Sequence, residues 1–305
     1  MKVLVFGANG QVGTELVRRL PERLRADVVP VTRSGDWEGQ PCETADLSEP
    51  EALGGLIERV KPDAVVNAAA YTAVDKAESE AEVAMRINGE APAAIAKACA
   101  DHGIPFVHYS TDYVFGGDAD RPYLPEDATA PAGIYGLSKL AGEQAVQSAG
   151  GDVRILRTAW VYGLHGSNFL RTMLRLVDRA ELGVVDDQIG SPTPAWLIAE
   201  VTAAMLRQGF RGQRTHHVVA GGQISWAGFA DAIFDQAVAG GVIDARPAVK
   251  RITTADYPTP AKRPAYSVLS TESLKSEFSL KLPGWDECLK MTFNSDALQQ
   301  AQSIQ

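Results

Sequence analysis

A glycine-rich turn near the amino terminus constrains the fold of this chain more than any other feature. Val3–Phe6 predicts a short buried strand, Gln11–Leu20 has apolar residues at helical spacing, and between them lies the segment GANGQVG, with Gly7, Gly10 and Gly13. Glycine permits a tight turn, close approach of the backbone to a pyrophosphate, and close packing of the helix on the strand. The helix N-terminus then offers free N–H groups to an anion. The position of this turn favours dinucleotide binding over an ordinary turn, although the spacing is GxxGxxG and not GxGxxG.

Short apolar segments alternate with helical patterns through the first half of the chain. The predicted strands are Val28–Val31, Ala64–Val66, Pro105–Tyr109 and Val153–Thr158, and the predicted helices are Glu51–Val60, Glu80–His102 and Tyr135–Gln147. Continuous apolar strands separated by helices are typical of βαβ units with both sheet faces covered. The sequence therefore predicts an α/β protein with a Rossmann-type, doubly wound parallel sheet.

The second half of the chain is less regular and predicts a smaller α/β lobe that binds substrate. Helices are predicted at Asn168–Arg179, Pro194–Gln208 and Ser225–Ala239, a strand at His216–Val219, and a proline-containing loop from Arg246 to Pro264. We expect residues 1–162 to form the NAD(P)-binding domain and residues 163–305 to form mainly the substrate lobe. The chain is expected to return to the first domain around residues 183–235.

Charge and composition exclude several classes of function. The 305 residues include 29 Lys and Arg and 38 Asp and Glu, a formal charge of −9, so an interaction with a nucleic-acid backbone is not expected. No segment approaches the roughly 20 apolar residues that span a bilayer, and we expect no membrane association. Three cysteines without CxxC spacing suit a reducing compartment, which predicts a cytoplasmic protein. The five histidines have no metal-ligand spacing.

The end of the second predicted strand bears on the choice of cofactor. An acidic residue is expected there when the adenosine ribose carries no phosphate, but this strand is followed by Arg33. A guanidinium at this point can pair with a 2′-phosphate, so NADPH is favoured and NADH remains an alternative. Asp46 and Leu47 follow closely; they could contact the adenine, or Asp46 could cap the next turn.

A tyrosine and a lysine four residues apart give the sharpest chemical signal. On the predicted helix, Tyr135 and Lys139 share one face, so the ammonium is expected to lower the pKa of the phenol and to help it protonate a carbonyl oxygen. Ser110 and Thr111 stand at the carboxyl end of the preceding predicted strand, where open α/β sheets bind ligands. These hydroxyls could instead satisfy hydrogen bonds of a turn.

Six blocks of the chain resemble the dTDP-4-dehydrorhamnose reductase family of the extended short-chain dehydrogenase/reductase superfamily. They are GANGQVG (Gly7–Gly13), NAAAYTAVDKAE (Asn67–Glu78), STDYVFG (Ser110–Gly116), YGLSKLAGE (Tyr135–Glu143), RTAWVY (Arg157–Tyr162) and DQIGSPT (Asp187–Thr193). The resemblance covers about residues 1–270. Its long polar blocks are far more specific than the glycine turn.

The resemblance implies that NAD(P)H reduces the 4-keto group of dTDP-4-dehydro-L-rhamnose to give dTDP-L-rhamnose. A dTDP-linked 4-keto-6-deoxy sugar is then the partner of this chain. On matching positions, Tyr135 is the proton donor, Lys139 assists it and holds the nicotinamide ribose, and Thr111 hydrogen-bonds the carbonyl oxygen or Tyr135. Asn88 matches the asparagine of the active-site helix. The remaining implied positions are Gly10, Gln11 and Val12 at the pyrophosphate; Ala68, Ala69, Ala70 and Tyr109 along the cofactor; Thr72, Val74, Asp112, Trp160 and Asn168 around the sugar nucleotide; and Gln188 and Arg263 toward its base or diphosphate.

Some members of this family dimerise through a metal held by acidic side chains. Glu15 matches one such position and Glu200 is an approximate second, but no third is evident, so no metal site is predicted and Mg²⁺ stays open. The chain is expected to be a monomer or a homodimer.

Other functions remain open on the sequence. A sugar-nucleotide epimerase, or a reductase of opposite C4 stereochemistry, could use the same tyrosine and cofactor. A non-catalytic, NADP-binding regulatory subunit of methionine adenosyltransferase is the alternative outside enzymes, although such a scaffold has no need of Thr111, Tyr135 and Lys139.

Overall fold

A computed structural model describes residues 1–210 and 212–294 of the chain. Its strands, in chain order, are β1 (Lys2–Phe6), β2 (Asp27–Thr32), β3 (Asp36–Trp37), β4 (Gln40–Pro41), β5 (Glu43–Thr44), β6 (Ala64–Asn67), β7 (Phe106–Thr111), β8 (Val153–Thr158), β9 (Val161–Tyr162), β10 (Glu181–Val185), β11 (Ile189–Gly190), β12 (Thr193–Pro194), β13 (Thr215–His217), β14 (Ile224–Ser225) and β15 (Ala248–Ile252).

Seven of these strands form a single parallel sheet in the order β13-β8-β7-β6-β1-β2-β5. The chain reverses its direction of strand addition between β1 and β6, which is the switch point where open α/β sheets bind ligands. The predicted Rossmann-type sheet is therefore confirmed.

The helices flank the sheet or build the smaller lobe. They are α1 (Gln11–Leu24), α2 (Pro50–Val60), α3 (Val74–Ala77), α4 (Ala81–Met85), α5 (Ala91–Asp101), α6 (Ile134–Ser148), α7 (Phe169–Arg175), α8 (Ala195–Gln208), α9 (Trp226–Ala239), α10 (Glu272–Phe278) and α11 (Trp285–Phe293). Short 3₁₀ turns follow at 112–114 and 254–256.

Alternation along β1 shows how the sheet buries both of its faces. Val3 and Val5 lie in the apolar cluster that packs under α1 and α8, whereas Leu4 and Phe6 lie in the cluster under α2 and α5. All four side chains are fully buried. Successive strand residues point to opposite faces, so a continuously apolar strand requires helices on both sides.

The smaller lobe has its own apolar core. Residues of α7, α9 and α11 meet around Leu170, Phe229, Ile233 and Leu289. Strands β10 and β15 pair in parallel at its edge. The chain rejoins the large sheet through α8, which packs on α1, and through β13, which pairs with β8.

Two predictions about secondary structure were wrong. The predicted loop 246–264 contains β15, which depends on pairing with β10 and carries no strong apolar alternation of its own. The predicted single helix 80–102 is divided by a π-helical turn at 86–90. Pro92 has no N–H to donate to the carbonyl of Asn88, and Gly142 of α6 packs so closely there that a Cβ atom would lie 2.1 Å from this oxygen.

The three cysteines, Cys42, Cys99 and Cys288, are free thiols. Within the described ranges, no helix combines the length and the apolar character needed to cross a bilayer.

Candidate active site

The glycine turn between β1 and α1 brings backbone close to backbone. Gly7 has a φ of +74°, and a Cβ atom on it would lie 2.6 Å from the amide nitrogen of Ala69. A Cβ atom on Gly13 would lie 2.0 Å from the carbonyl oxygen of Gly7. Gly10 is the N-cap residue of α1, and it has no side chain that could bond the first N–H groups of the helix. The N–H groups of the first turn are therefore left for an anion, as a pyrophosphate cradle requires.

Two adjoining cavities run along the carboxyl ends of the sheet strands. The larger, of about 450 Å³, is lined by the glycine turn, by the segment after β6, and by Tyr109, Ser110, Tyr135, Lys139, Thr158, Val161, Gly166 and Ser167. The smaller, of about 220 Å³, lies between the glycine turn and β2. Both include Gly7, Asn9, Ala69 and Ala70, so together they form one groove across the switch point. An extended dinucleotide fits such a groove.

The smaller cavity collects the residues expected around the adenosine end. Arg33, Asp46 and Leu47 line it together with Ile87. The carboxylate of Asp46 accepts hydrogen bonds of 2.8 Å from both the amide and the hydroxyl of Ser48. The Ser48 amide is the main reason why the pKa of Asp46 is lowered. Asp46 thus caps the following turn and also borders the cavity.

Helix α6 carries the tyrosine and the lysine toward the groove. It begins at Ile134, whose amide donates a hydrogen bond of 2.9 Å to the carboxylate of Glu78. Tyr135 and Lys139 lie one turn apart on the same face, and both line the larger cavity. Lys139 is 3% exposed, and its ammonium donates a hydrogen bond of 2.6 Å to the backbone carbonyl of Tyr109.

The pKa of Tyr135 differs from the sequence expectation. Burial raises it to about 12, and a hydrogen bond with Thr111 lowers it only in part. The net lowering that the sequence predicts is wrong for this structure, because burial of the phenol outweighs any stabilisation of the phenolate by Lys139. Desolvation also lowers the pKa of Lys139 itself, to about 8. Tyr135 is therefore a protonated phenol at neutral pH, which suits a proton donor.

Thr111 ends β7 and Asp112 begins the 3₁₀ turn that follows, and both lie close enough to this phenol to affect its pKa. The Thr111 hydroxyl donates a hydrogen bond of 2.9 Å to the Asp112 carboxylate and accepts one of 3.2 Å from the Tyr113 amide. Asp112 is 2% exposed, and burial raises its pKa to about 6. The Tyr113 ring meets the Tyr135 ring edge-on, with centroids 5.4 Å apart. The position of the Tyr135 ring is thus set by its packing on Tyr113.

Asn88 supports the groove through hydrogen bonds to its neighbours. Its side-chain oxygen accepts from the Tyr71 amide at 2.8 Å, and its nitrogen donates to the Tyr71 carbonyl and the Ser138 hydroxyl, both at 3.0 Å. These bonds fix the segment that leads to Thr72, which lines the larger cavity. The π-helical turn places Asn88 where it can make them.

A third cavity, of about 330 Å³, lies between the loop after β15 and the helices of the smaller lobe. Gln188 and Arg263 line it, and Gln188 also donates a hydrogen bond of 3.0 Å to Thr254. The rest of its lining is mainly apolar and comprises Phe169, Thr172, Met173, Leu176, Leu182, Gly183, Val184, Val185, Trp226, Tyr257 and Thr259. Such a cavity suits a flat heterocycle with a charged tail.

Five predicted substrate positions lie outside the lining of these cavities: Thr111 and Asp112, described above, and three others. Trp160 has a φ of +47° and stacks on Trp226, with ring centroids 3.5 Å apart. Asn168 caps α7 and donates a hydrogen bond of 2.9 Å to Gln11 of the glycine turn. Val74 is the first residue of α3, directly after the segment that reaches the groove. Trp160 and Asn168 each contact a residue that lines a cavity, and Val74 follows such a segment in the chain.

The two acidic residues considered for a metal are engaged with arginines. Glu15 pairs with Arg19 at 2.7 Å, and Glu200 pairs with Arg19 at 3.0 Å and with Arg23 at 2.8 Å. In the part of the chain that the structure describes, no group of three or more His, Cys, Asp or Glu side chains is arranged to hold a metal ion.

Sequence reasoning missed several residues of the site. Asn9, Thr158, Gly166 and Ser167 line the larger cavity. Asn9 lies within the recognised glycine turn, and Gly166 and Ser167 immediately precede the assigned Asn168, so adjacency in sequence was an available signal. The apolar lining of the third cavity carries no such signal, because those side chains look like ordinary core.

The fold and this site define a nucleotide-cofactor-dependent reductase of the extended short-chain dehydrogenase/reductase class. A family model described as the RmlD substrate binding domain matches residues 1–297. Curated proteins named dTDP-4-dehydrorhamnose reductase are similar over nearly the whole chain. The protein from Burkholderia thailandensis is 48% identical, with 93% of this chain and 95% of that protein covered, and the one from Escherichia coli K12 is 44% identical, with 96% and 97% covered. The chain belongs to the dTDP-4-dehydrorhamnose reductase family.

Solved structures agree with this membership. The crystal structure of a dTDP-4-dehydrorhamnose reductase from Clostridium acetobutylicum has a TM-score of 0.88 and 37% identity, covering 98% of this chain and 100% of its own. The enzyme of the same name from Bacillus anthracis, solved in complex with NADP, has a TM-score of 0.87 and 34% identity, covering 96% and 98%.

Proposed function

We propose that this chain reduces the 4-keto group of dTDP-4-dehydro-L-rhamnose with NADPH and releases dTDP-L-rhamnose. One observation carries the proposal: the protonated phenol of Tyr135 and the buried ammonium of Lys139 line the same cavity as a glycine turn built for a pyrophosphate. Family membership and the names of the similar proteins support the same substrate.

The glycine turn is suited to a dinucleotide, because side chains at Gly7 or Gly13 would collide with neighbouring backbone. The cofactor supplies a hydride to the carbonyl carbon when bound. Gly10, Gln11 and Val12 hold the pyrophosphate, and Ala68, Ala69, Ala70 and Tyr109 border the rest of the cofactor. Arg33 pairs with a 2′-phosphate and favours NADPH over NADH, while Asp46 and Leu47 contact the adenine.

Tyr135 provides the proton. As the carbonyl carbon gains a hydride, the carbonyl oxygen gains negative charge and takes the phenolic proton of Tyr135. Thr111 lies beside the phenol, lowers its pKa through their hydrogen bond, and can hydrogen-bond the substrate oxygen. The nearby positive charge of Lys139 stabilises the phenolate that remains until solvent returns the proton.

The sugar nucleotide lies across the two lobes. Thr72, Val74, Asp112, Trp160 and Asn168 surround the sugar end, and the third cavity takes the base and diphosphate, with Gln188 and Arg263 as its polar contacts. The proposal keeps the division of the chain predicted above, with residues 1–162 binding cofactor and residues 163–305 mainly binding substrate. Residues 295–305 of that segment lie outside the described part of the structure.

Consumption of NADPH tests this function. Purified protein is mixed with NADPH or NADH and with the ketosugar made in situ, and the absorbance of the reduced nicotinamide is followed. We expect ketosugar-dependent loss with NADPH, and roughly a thousand-fold slower loss for Tyr135→Phe with unchanged NADPH binding. Tyr266→Phe, which removes a hydroxyl that donates a hydrogen bond to Gln223, is the matched control.

The competing functions give different results in the same assay. Interconversion of sugar nucleotides without net loss of NADPH would indicate an epimerase. A product with the opposite C4 configuration, read by NMR, would indicate the other reductase. Binding of both ligands without turnover, together with a stable complex with methionine adenosyltransferase, would indicate a regulatory subunit.

A further inference from the structure

An ion pair joins the two lobes beside the third cavity. Arg263, in the loop after β15, binds both carboxylate oxygens of Asp75 on α3, with Nη1 3.0 Å from Oδ1 and Nη2 2.8 Å from Oδ2. The same carboxylate accepts the Ala261 amide at 3.2 Å. Asp75 and Arg263 stand 188 positions apart in sequence, so this contact holds the loop of the smaller lobe against the cofactor domain.

The contacts leave one edge of the guanidinium available. Nη1 also donates to the Thr259 hydroxyl and to the Ala261 carbonyl at 3.3 Å, so its two N–H groups are fully used. Among residues 1–210 and 212–294, no partner accepts a hydrogen bond from Nε, and Asp75 is the sole partner of Nη2. The Nε–Nη2 edge can therefore bind two oxygens of a phosphate at once.

The surroundings favour an anion at this edge. Arg263 lines the 330 Å³ cavity with Gln188, Tyr257 and Thr259, and no acidic residue is among the described lining residues. The Arg263 side chain is 23% exposed, so its charge is partly desolvated but remains reachable. A guanidinium held at two points loses little conformational entropy when it binds a ligand at its third side.

We infer that Asp75 is a positioning residue for the nucleotide diphosphate: it holds the Nη end of Arg263 so that the Nε–Nη2 edge meets the diphosphate. The inference rests on the proposed function and deepens it, because neither the family blocks nor the similar proteins assign Asp75 a role. It predicts that the Asp75–Arg263 pair favours binding of a nucleoside diphosphate over a nucleoside monophosphate.

The two possible effects of Asp75 have opposite signs. A carboxylate that only neutralises Arg263 would repel the diphosphate, so removing its charge would tighten dTDP binding. A carboxylate that positions Arg263 gives the contrary result, because a released guanidinium must be ordered again by the ligand. The sign of the change therefore distinguishes the two roles.

The experiment compares Asp75→Asn, Arg263→Gln, the double variant and Lys76→Gln, the last being the exposed neighbour of Asp75 on the same helix. Calorimetry gives the affinities for dTDP and dTMP, and steady-state kinetics gives kcat and KM for the ketosugar. Asp75→Asn is expected to weaken dTDP binding about 10-fold while dTMP binding changes little, with a higher KM and nearly unchanged kcat. The double variant is expected to bind dTDP no more weakly than Arg263→Gln, and Lys76→Gln to match the wild type.

Folding is checked by NADPH affinity and thermal midpoint for every variant. Equal or tighter dTDP binding by a folded Asp75→Asn protein would overturn the inference, as would dTDP and dTMP affinities that fall together. If the variants change dTDP affinity as expected but the wild-type protein does not turn over the ketosugar, only the proposed reductase activity is refuted. Normal turnover with dTDP affinity insensitive to Asp75→Asn would refute the positioning role alone.

Discussion

The ammonium of Lys139 is bonded to the backbone carbonyl of Tyr109, 2.6 Å away, at the carboxyl half of β7. This bond anchors α6 to the sheet across 30 positions of sequence and keeps a charged group almost wholly out of water. Desolvation lowers the pKa of Lys139 to about 8, and the nearby Glu143 carboxylate offsets this only in part. Lys139 is therefore expected to lose its proton at a pH only slightly above neutral.

The dependence of kcat/KM on pH is expected to be bell-shaped. Asp112 ionises with a pKa of about 6, and its charged form accepts the Thr111 hydroxyl more strongly than its neutral form, so activity is expected to rise as pH passes through about 6. Lys139 loses its proton near pH 8 and with it the charge that stabilises the Tyr135 phenolate, so activity falls above about 8. Because kcat/KM reports the free enzyme, initial rates at low ketosugar concentration are the measurement.

Asp112→Asn provides the control for this profile. The variant is expected to lose the acidic limb and to keep the alkaline limb, because Lys139 is unchanged. An acidic limb that persists in Asp112→Asn would assign the lower pKa to another group.

Removal of the buried charge at Lys139 is expected to stabilise the protein while inactivating it. Between pH 8 and about 10.5 the unfolded chain keeps the lysine proton and the folded chain does not, so the free energy of unfolding of the wild type rises with pH, by up to about 1.4 kcal/mol per unit. Below pH 8 the folded protein carries the charge and bears its desolvation cost. Lys139→Met carries no such charge.

Denaturant titrations at several pH values measure this effect. Lys139→Met is expected to unfold at higher denaturant concentration than the wild type at neutral pH and to lack the rise between pH 8 and 10. The exposed Lys97→Met, 74% exposed, is the matched control. Equal pH slopes for Lys139→Met and the wild type would show that Lys139 has an ordinary pKa.

Arg33 is expected to set the choice between the two nicotinamide cofactors. It follows β2 and lines the small cavity beside Asp46, where a 2′-phosphate would lie. Arg33→Gln removes that cation and is expected to weaken NADPH binding about 10-fold while NADH binding stays nearly unchanged. The change is measured as the ratio of kcat/KM for NADPH to kcat/KM for NADH. As an independent check, this ratio is expected to fall in the wild type as the salt concentration rises. Equal losses for both cofactors would remove Arg33 from cofactor discrimination.

Most of the sheet could be predicted from sequence because strands such as β1, β2 and β6 are short, largely apolar and separated by helices, a pattern that few folds other than a parallel α/β sheet produce. The elements that carry Tyr135, Lys139 and Thr111 could be predicted for the same reason, since α6 and β7 are strongly patterned. The pKa of Tyr135 could not be predicted because it depends on how deeply the folded chain buries the phenol. The break at Asn88 depends on the approach of α6, and β15 depends on pairing with β10. Interactions distant in sequence decided each of these outcomes.

Glu78 illustrates such a distant interaction at the helix that carries the proton donor. Its carboxylate is 56 positions before Ile134 yet accepts the first amide of α6, which Gly133 leaves without a side-chain cap. The negative charge also suits the positive end of the helix dipole. Tyr135 lies in this first turn, so fraying at this end moves the phenol away from the substrate.

Glu78→Ala is therefore expected to lower the free energy of unfolding by about 1 kcal/mol and to reduce kcat more strongly than its NADPH affinity. Glu78→Gln keeps an acceptor oxygen and is expected to recover most of kcat. Glu82→Ala, an exposed acidic residue of α4, is the matched control and should resemble the wild type. Denaturant titration and steady-state kinetics on all three variants test the argument. A loss of stability with unchanged kcat would make Glu78 a structural cap only, whereas a parallel loss that Glu78→Gln reverses would place the start of α6 among the determinants of proton transfer.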